Sequence, residues 1–407
     1  MEVDIGIASK TTLNIASNNN TSLAIALSHQ LLDAGKAVML GLYNQGHPLP
    51  SVQRAALCLS SELQHSALSE TADLPPIPQS GIYTVVQVIS ASLNPVDYKL
   101  LRLPWPITRL VIGSHPTIPG VDFVGRVWQT THPDLQAGDL CWGKLSMPTK
   151  YGTCAEFTLH TGKNGIAKVP EGFGRSLDEL AGVGIAGLTA LNVLKQCNLP
   201  FNRTRGKESG GKLFVNGASG GTGTFTVQMA KAMGVQTVVA SCSGANADLV
   251  KSLGADEVID YRSQNVVEAL RIWSKRGRGQ QFDAIIDNVG SDPAIYYHSE
   301  EYLKASNGVY LAVGVDASWS GLIETAKILM LPTLLGGGTR PYGIFMLFGT
   351  EKEDWELIGK WMVEGKVRTV IEDDNRFALS DIQSAVRKLQ TGRTRGKIII
   401  TVAEHAQ

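Results

Sequence analysis

The stretch Leu213-Phe214-Val215-Asn216-Gly217-Ala218-Ser219-Gly220-Gly221-Thr222-Gly223 decides the fold. It opens as a short apolar strand, and the residues from Thr222 to Met233 have helical spacing. A strand that turns through glycines into a helix leaves bare backbone N–H groups at a helix N-terminus. That arrangement receives a pyrophosphate. A side chain at the point of closest approach would block the ligand, which is why glycine is needed there. Glycine also serves plain turns and helix packing, so the strand before and the helix after give this loop its meaning.

Working outward from the loop, strands and helices alternate. Thr237 to Ala240 reads as a strand, Ala247 to Leu253 as a helix, and Glu257 to Ile259 as a strand. Phe282 to Asp287 and Val309 to Val313 read as further strands. The rhythm predicts a parallel, doubly wound sheet. Upstream, Tyr83 to Ile89, Val121 to Trp128 and Leu140-Cys141-Trp142 are short strands with turn signals between them, which predicts a small irregular barrel. Lys397 to Val402 is a last strand that either returns to the barrel or finishes the parallel sheet.

Before Pro75-Pro76-Ile77-Pro78 the chain is polar and uneven. Thr12 to Ile15, Ser22 to Ala34 and Ala37 to Tyr43 have the spacing of a strand, a helix and a strand. The intervening Ser17-Asn18-Asn19-Asn20 lacks the glycines of a phosphate loop, so this trio reads as packing or an extension. The expected division is an extension of unclear role over 1–75, a β-rich catalytic domain over 76–190 and 340–407, and a dinucleotide-binding domain over 191–339.

Composition sets the outer limits. The 407 residues carry 37 basic and 37 acidic side chains, and 43% are apolar. Two domains fit that length, because single cores rarely exceed about 250–300 residues. The zero net charge gives no basic footprint for nucleic acid and no polybasic membrane anchor. The five cysteines, Cys58, Cys141, Cys154, Cys197 and Cys242, include no C-x2-C pair and suit a reducing compartment. MEVDIGIASK is not a secretory signal, and the apolar run Lys327 to Phe348 is broken by Pro332, Arg340 and Pro341. The expectation is a soluble cytoplasmic protein without nucleic-acid or membrane partners.

A second cofactor signal lies after the next strand, in Ser241-Cys242-Ser243. NAD-type folds often end that strand in an acid that bonds the ribose hydroxyls. Ser241, Ser243 and Asn246 are neutral, and the missing carboxylate favours NADPH. Asn246 serves equally well as a simple helix cap.

Several ordered motifs resemble the medium-chain dehydrogenase/reductase superfamily. They are Asn94-Pro95-Val96-Asp97-Tyr98-Lys99, Pro119-Gly120-Val121-Asp122-Phe123-Val124-Gly125 and Ala137-Gly138-Asp139, then Ala186-Gly187-Leu188-Thr189-Ala190 and the glycine loop. Leu253 to Tyr261, Asp287-Asn288-Val289-Gly290 and Arg395-Gly396-Lys397 complete the set. The nearest look is to its zinc-independent quinone oxidoreductases and to the trans-acting enoyl reductases of fungal polyketide pathways. The resemblance implies an α/β protein with a GroES-like barrel and a Rossmann domain.

The resemblance also implies residue roles. Asn94 matches the asparagine beside the nicotinamide and substrate. Thr189 matches a threonine near the reactive end of the cofactor. Ala218, Ser219, Gly220, Gly221, Thr222 and Gly223 match the pyrophosphate loop. Ser243 and Tyr261 match positions around the adenosine 2′-phosphate and adenine. Several NADPH reductases have lysine where Asn246 stands. Asn288, Val289, Gly314 and Val315 match strand ends under the nicotinamide, and Arg395 a C-terminal position within reach of the cofactor. Taken alone, Asn94 also suits a turn, Thr189 a helix brace and Tyr261 a strand-end aromatic.

Zinc-dependent relatives hold their metal with Cys, a His-Glu pair and a further Cys or Asp. Here those positions read Asn94 and Gly120-Val121-Asp122, a poor zinc set, so no metal is expected. Asp122 reads as a backbone binder, and His115 and His160 as ordinary loop residues.

The implied activity is NADPH-dependent hydride transfer to an activated C=C in an enone, quinone or enoyl thioester, with secondary metabolism a fitting context. Asn94 is the candidate donor or positioner, and Tyr98 and Lys99 are candidate proton sources. The substrate is expected to be apolar, free or linked to a carrier or CoA, with Pro104, Trp105, Pro106, Trp319, Pro341, Tyr342, Phe345, Met346 and Phe348 as candidate lining. A homodimer is open. Two other uses of the fold also stay open, a redox-neutral step such as cyclisation and NADPH binding without turnover.

Overall fold

The computed structural model describes residues 48–60, 62–99, 101, 115–197, 199, 210–277, 280–314, 319–331, 341–345, 347 and 349–403. The elements expected between Thr12 and Tyr43, and Pro104, Trp105, Pro106, Met346 and Phe348, lie outside them. The chain divides after Leu49, and the compact unit Pro50–Gln407 holds the three sheets of the described residues. Among the described residues no helix is long and apolar enough to cross a membrane.

The unit opens with an antiparallel hairpin, β1 (Gln53–Cys58) and β2 (Ser66–Ala72). It lies in the stretch read as an extension, yet it is built into the barrel. The Ala56 N–H donates to the Cys154 carbonyl at 2.9 Å, and Gln53 Oε1 accepts the Phe157 N–H at 2.7 Å. Ala55, Ala56, Cys58 and Leu63 share one core with Val86, Val88 and Leu93. Burial of these small apolar faces anchors the hairpin.

The barrel is centred on β3 (Tyr83–Leu93), which is buried along nearly its whole length, with Thr84, Ser90 and Ser92 among its buried residues. It pairs antiparallel with β4 (Asp122–Thr130), and β4 with β5 (Leu140–Lys144). β6 (Phe157–Thr161) pairs with β3, and β7 (Ile166–Lys168) with β5. Register shifts at Val85/Val86 and Val88/Ser90 bend β3, as bulges do in closed sheets. His160, expected in a loop, sits in β6 at 1% exposure.

The second layer is the parallel sheet. Its strands are β8 (Lys212–Asn216), β9 (Thr237–Cys242), β10 (Glu257–Asp260), β11 (Ala284–Asp287), β12 (Val309–Ala312) and β13 (Tyr342–Ile344). The order β10-β9-β8-β11-β12-β13 is doubly wound, with its switch point between β8 and β11. Leu213, Phe214 and Val215 are fully buried, since helices cover both faces of a parallel sheet. Phe282 stacks on Trp273 with ring centroids 4.2 Å apart. The Trp273 helix, Val266–Ser274, is capped by Asn265, which accepts the Glu268 N–H at 3.0 Å. Such a cap stabilises by about 1 kcal/mol. The sheet extends past residue 339, because β13 pairs with Tyr310 to Ala312.

The chain then returns to the barrel. β14 (Arg376–Ala378) pairs with β15 (Ile398–Thr401), and β15 runs antiparallel to β3. The open question about the last strand is thus settled in favour of the barrel. Just before β15, Gly396 bridges to Gly220 of the glycine loop.

Candidate functional site

The glycine loop starts where β8 ends. Gly217 has φ +73°, and a Cβ there would lie 2.5 Å from Val289 Cγ2. At Gly223 a Cβ would lie 2.2 Å from the Gly217 carbonyl, so loop and helix touch backbone to backbone. The helix Gly221–Ala232 follows with its N-terminal N–H groups unused by any cap side chain. Ala218 and Ser241 are wholly buried behind the loop. The Ala218 N–H donates to the Ser241 carbonyl at 2.9 Å, and the Gly217 N–H to Ser241 Oγ at 3.2 Å. Both residues therefore shape the loop from behind.

In front of the loop is a cleft of about 810 Å³. Ser219 through Gly223, Ser243, Asn246, Tyr261, Asn288, Val289, Arg395, Asn94, Tyr98 and Lys99 all line it. Thr189 is buried on the helix Gly184–Gln196 and does not line the cleft, whereas Ala186 on that helix does. Gly314 is also off the lining. A Cβ there would lie 2.4 Å from the Asn288 carbonyl, so its bareness lets two strand ends meet. Val315 lies outside the described residues.

Asp287, at 2% exposure, organises the end of β11. Its Oδ1 accepts from Asn216 Nδ2 at 2.8 Å and from the N–H groups of Val289 and Gly290 at 2.9 Å. Its Oδ2 accepts the Tyr310 hydroxyl at 2.7 Å. This fixes the turn that carries Asn288. Asn288 Nδ2 donates to the Asn216 carbonyl at 3.0 Å, while its Oδ1 is buried without a partner. A buried acceptor without a partner, on a residue that lines the cleft, marks a place for a further donor. Together with the bare helix N-terminus, this donor and acceptor set fits a dinucleotide.

At the turn after β9, residues Ser243 to Ala247 include no acid. Asp260, at the end of β10, lies against this turn, where a Cβ on Gly244 would be 2.6 Å from its Oδ2, and it is also tied into its own turn. It accepts the Arg262 N–H and the Ser263 hydroxyl, both at 3.0 Å. The Arg262 N–H holds this carboxyl below the usual range. Asn246 stands at the N-cap of Ala247–Ser252, but its side chain does not cap the helix. Its Nδ2 donates to Ser219 Oγ at 3.0 Å, on the loop itself. Arg262 and Arg393 add two guanidinium groups to the lining. Sequence reading missed both, although Arg262 directly follows Tyr261.

At the barrel side of the cleft is a buried polar cluster. Asn94 is 3% exposed, Asp122 0% and Lys397 3%. Asn94 Nδ2 donates to Asp122 Oδ2 at 2.8 Å, and the Lys397 ammonium donates to Asn94 Oδ1. Asp122 Oδ1 accepts the Ile185 N–H at 2.8 Å, in the first turn of the helix Gly184–Gln196, and Oδ2 accepts Ser92 Oγ at 3.0 Å. Asp122 is thus the backbone binder that its sequence suggested, with two side-chain donors added. The Asn94 N–H donates to Asp97 Oδ2 at 2.7 Å. Burial pushes the Asp97 carboxyl up to about 7, against the pull of that hydrogen bond.

These residues do not fit zinc. Asn94 Oδ1 and Asp122 Oδ2 already face an ammonium, the latter at 3.6 Å, and Val121 offers only hydrocarbon. The cluster's two carboxylates, Asp97 and Asp122, are joined to Asn94, which offers neither thiolate nor imidazole, so the donors zinc requires are lacking. Among the described residues no group of three or more His, Cys, Asp or Glu gathers around one point.

Known proteins resemble this chain in sequence and fold. The family described as zinc-binding dehydrogenase matches residues 253–400. A trans-enoyl reductase, pgmF, from Aspergillus terreus is 40% identical over 79% of this chain and 86% of its own length. A chloroplast envelope quinone oxidoreductase homolog from Arabidopsis thaliana is 31% identical over 80% of this chain and 91% of its own. The solved structure of a quinone oxidoreductase from Coxiella burnetii superposes with a TM-score of 0.67 at 26% identity, covering 86% of this chain and 99% of that one. The chain therefore belongs to the medium-chain dehydrogenase/reductase superfamily of oxidoreductases, alongside its quinone oxidoreductases and trans-enoyl reductases.

Proposed function

We propose that this protein is an NADPH-dependent, zinc-independent reductase of activated C=C bonds in apolar enones, quinones or enoyl thioesters. The observation that carries the reading is the single cleft running from the bare N-terminus of Gly221–Ala232 to the buried Asn94 cluster. Relatives named for enoyl and quinone reduction support the substrate class. A reduced nicotinamide dinucleotide supplies the hydride when bound.

The chain's own residues supply the rest. Ser219 through Gly223 receive the pyrophosphate with backbone N–H groups and the helix dipole. Ser243, Asn246 and Tyr261 border the adenosine. No carboxylate directly follows β9 as in NAD-type folds, Asp260 is engaged by backbone and hydroxyl donors, and Arg262 and Arg393 attract a 2′-phosphate. Asn288 offers its open Oδ1 to the ligand, beside Val289. Asn94, held rigidly by two partners, is the fixed polar group at the reacting end. Negative charge developing on a substrate carbonyl needs donors that are already oriented. Tyr98 and Lys99 both line the cleft and carry protons to donate.

The test is NADPH oxidation by purified protein with an enone, a quinone and an enoyl thioester, each with EDTA present and with NADH in parallel. Turnover that survives chelation and prefers NADPH is expected. Binding without turnover of any of the three substrates would overturn the reading.

A further inference from the structure

Lys397 stands in the motif Arg395-Gly396-Lys397, and the chemistry above leaves it without a task. We propose that Lys397 is a positioning residue for the reduction, whose buried ammonium locks the Asn94 amide in one orientation and ties it to the glycine loop. The inference rests on the reductase reading.

Three observations carry it. First, the ammonium has its donors committed inside the protein. It reaches the Leu93 carbonyl at 3.3 Å and Asn94 Oδ1, and faces Asp122 Oδ2 at 3.6 Å. Second, this fixes the amide. With an ammonium on one side and a carboxylate on the other, a flipped Asn94 would set its NH₂ against a cation and its oxygen against an anion. The orientation that remains spends one Nδ2 hydrogen on Asp122 and keeps the second as a donor. Without the ammonium one of the two restraints on the amide is gone and Asp122 alone holds it, so its orientation is less strictly fixed. Third, the residue spans both halves of the site. The Gly396 N–H donates to the Ser219 carbonyl at 3.0 Å, and a Cβ on Gly221 would lie 3.2 Å from Lys397 Cδ. The stem thus runs beside the first turn of the helix that receives the pyrophosphate.

Burial lowers the pKa of Lys397, while Asp122 and Asp97 oppose the shift. A buried ion pair is a poor device for stability alone, since an apolar side chain of similar volume serves as well. Its placement across the positions that carry zinc in zinc-dependent relatives makes the ammonium the resident cation of this site.

The experiment is a double-mutant cycle with NADPH and an enone, using wild type, Asn94→Ala, Lys397→Met and the double variant. The kcat, the KM for the enone, the Kd for NADPH by fluorescence and the melting temperature are measured for each. Lys397→Met is expected to lower kcat on the order of 100-fold. Its NADPH Kd and enone KM should stay within about threefold of wild type, and adding it to Asn94→Ala should cost less than about threefold more. A Lys397→Met enzyme as fast as wild type overturns the inference, and so does a double variant slowed by the product of the two single effects. If Lys397→Met does not fold, Lys397→Met/Asp122→Asn takes its place, with Asp122→Asn as the reference. No turnover by the wild-type chain overturns the reductase reading and this inference together. A turning-over wild type matched by its lysine variant overturns the inference alone.

Discussion

The backbone N–H of Gly396 donates to the carbonyl of Ser219 at 3.0 Å, joining the approach to the last barrel strand to the glycine loop of the parallel sheet. Gly396 has φ +64°, and a Cβ there would lie 2.0 Å from the Val370 carbonyl. The contact therefore depends on glycine. Gly396→Ala is expected to destabilise by about 2–4 kcal/mol through left-handed strain and overpacking. NADPH binding should weaken with it, because the loop loses its brace. Thermal melting and a fluorescence titration check this, and an unchanged pair of values would remove the bridge from any role.

Two loop glycines should behave differently. A Cβ on Gly220 would find only the Gly217 carbonyl at 3.6 Å, whereas one on Gly223 would meet backbone at 2.2 Å. Gly220→Val is expected to keep the melting temperature and weaken NADPH at least about tenfold, because the new side chain occupies ligand space. Gly223→Val should lower the melting temperature itself. Equal melting losses in both variants would argue that the loop is only a packing turn.

Coenzyme choice should follow charge at the adenosine end. Asn246→Lys adds a cation beside Ser219 and is expected to raise the NADPH-over-NADH preference several-fold, at about 0.5–1 kcal/mol for an exposed pair. Arg262→Gln should lower it. The ratio of kcat/KM values for the two coenzymes reports both changes. A ratio indifferent to Arg262 would remove it from phosphate recognition.

The Asp97 carboxyl, raised to about 7 mainly by burial, links folding to pH. A carboxyl whose folded pKa exceeds its unfolded value binds its proton more tightly when folded. Its contribution is complete below the unfolded value near 3.8 and is lost as pH rises through about 7. Asp97→Asn is expected to flatten the fall in unfolding free energy between about pH 4 and 7. Urea titrations of both proteins across that window measure it. An equally steep fall in the variant would show that another group titrates there.

Much of this arrangement was legible in order along the chain. The change from strand-turn spacing before Lys168 to strand-helix alternation after Lys212 announced the barrel and the parallel sheet, because periods of 2 and 3.6 are local properties. The glycine loop was legible for the same reason, since turn, strand end and helix start are consecutive. The hairpin Gln53 to Ala72 was not, because its short apolar faces gain meaning only against Cys154 and Phe157. The positions of Ala218 and Ser241 behind the loop also depended on their neighbours.

By itself the sequence determined the two layers, the glycine loop and the lack of zinc donors at Asn94 and Val121. Each follows from residue types at neighbouring positions. Only the tertiary structure decided that β15 returns to the barrel, that Asn246 reaches Ser219 rather than capping its helix, and that Lys397 lies on Asn94 across 303 residues of chain. An ammonium finds its buried partner through the folded packing of two sheets, and no local periodicity records that distance.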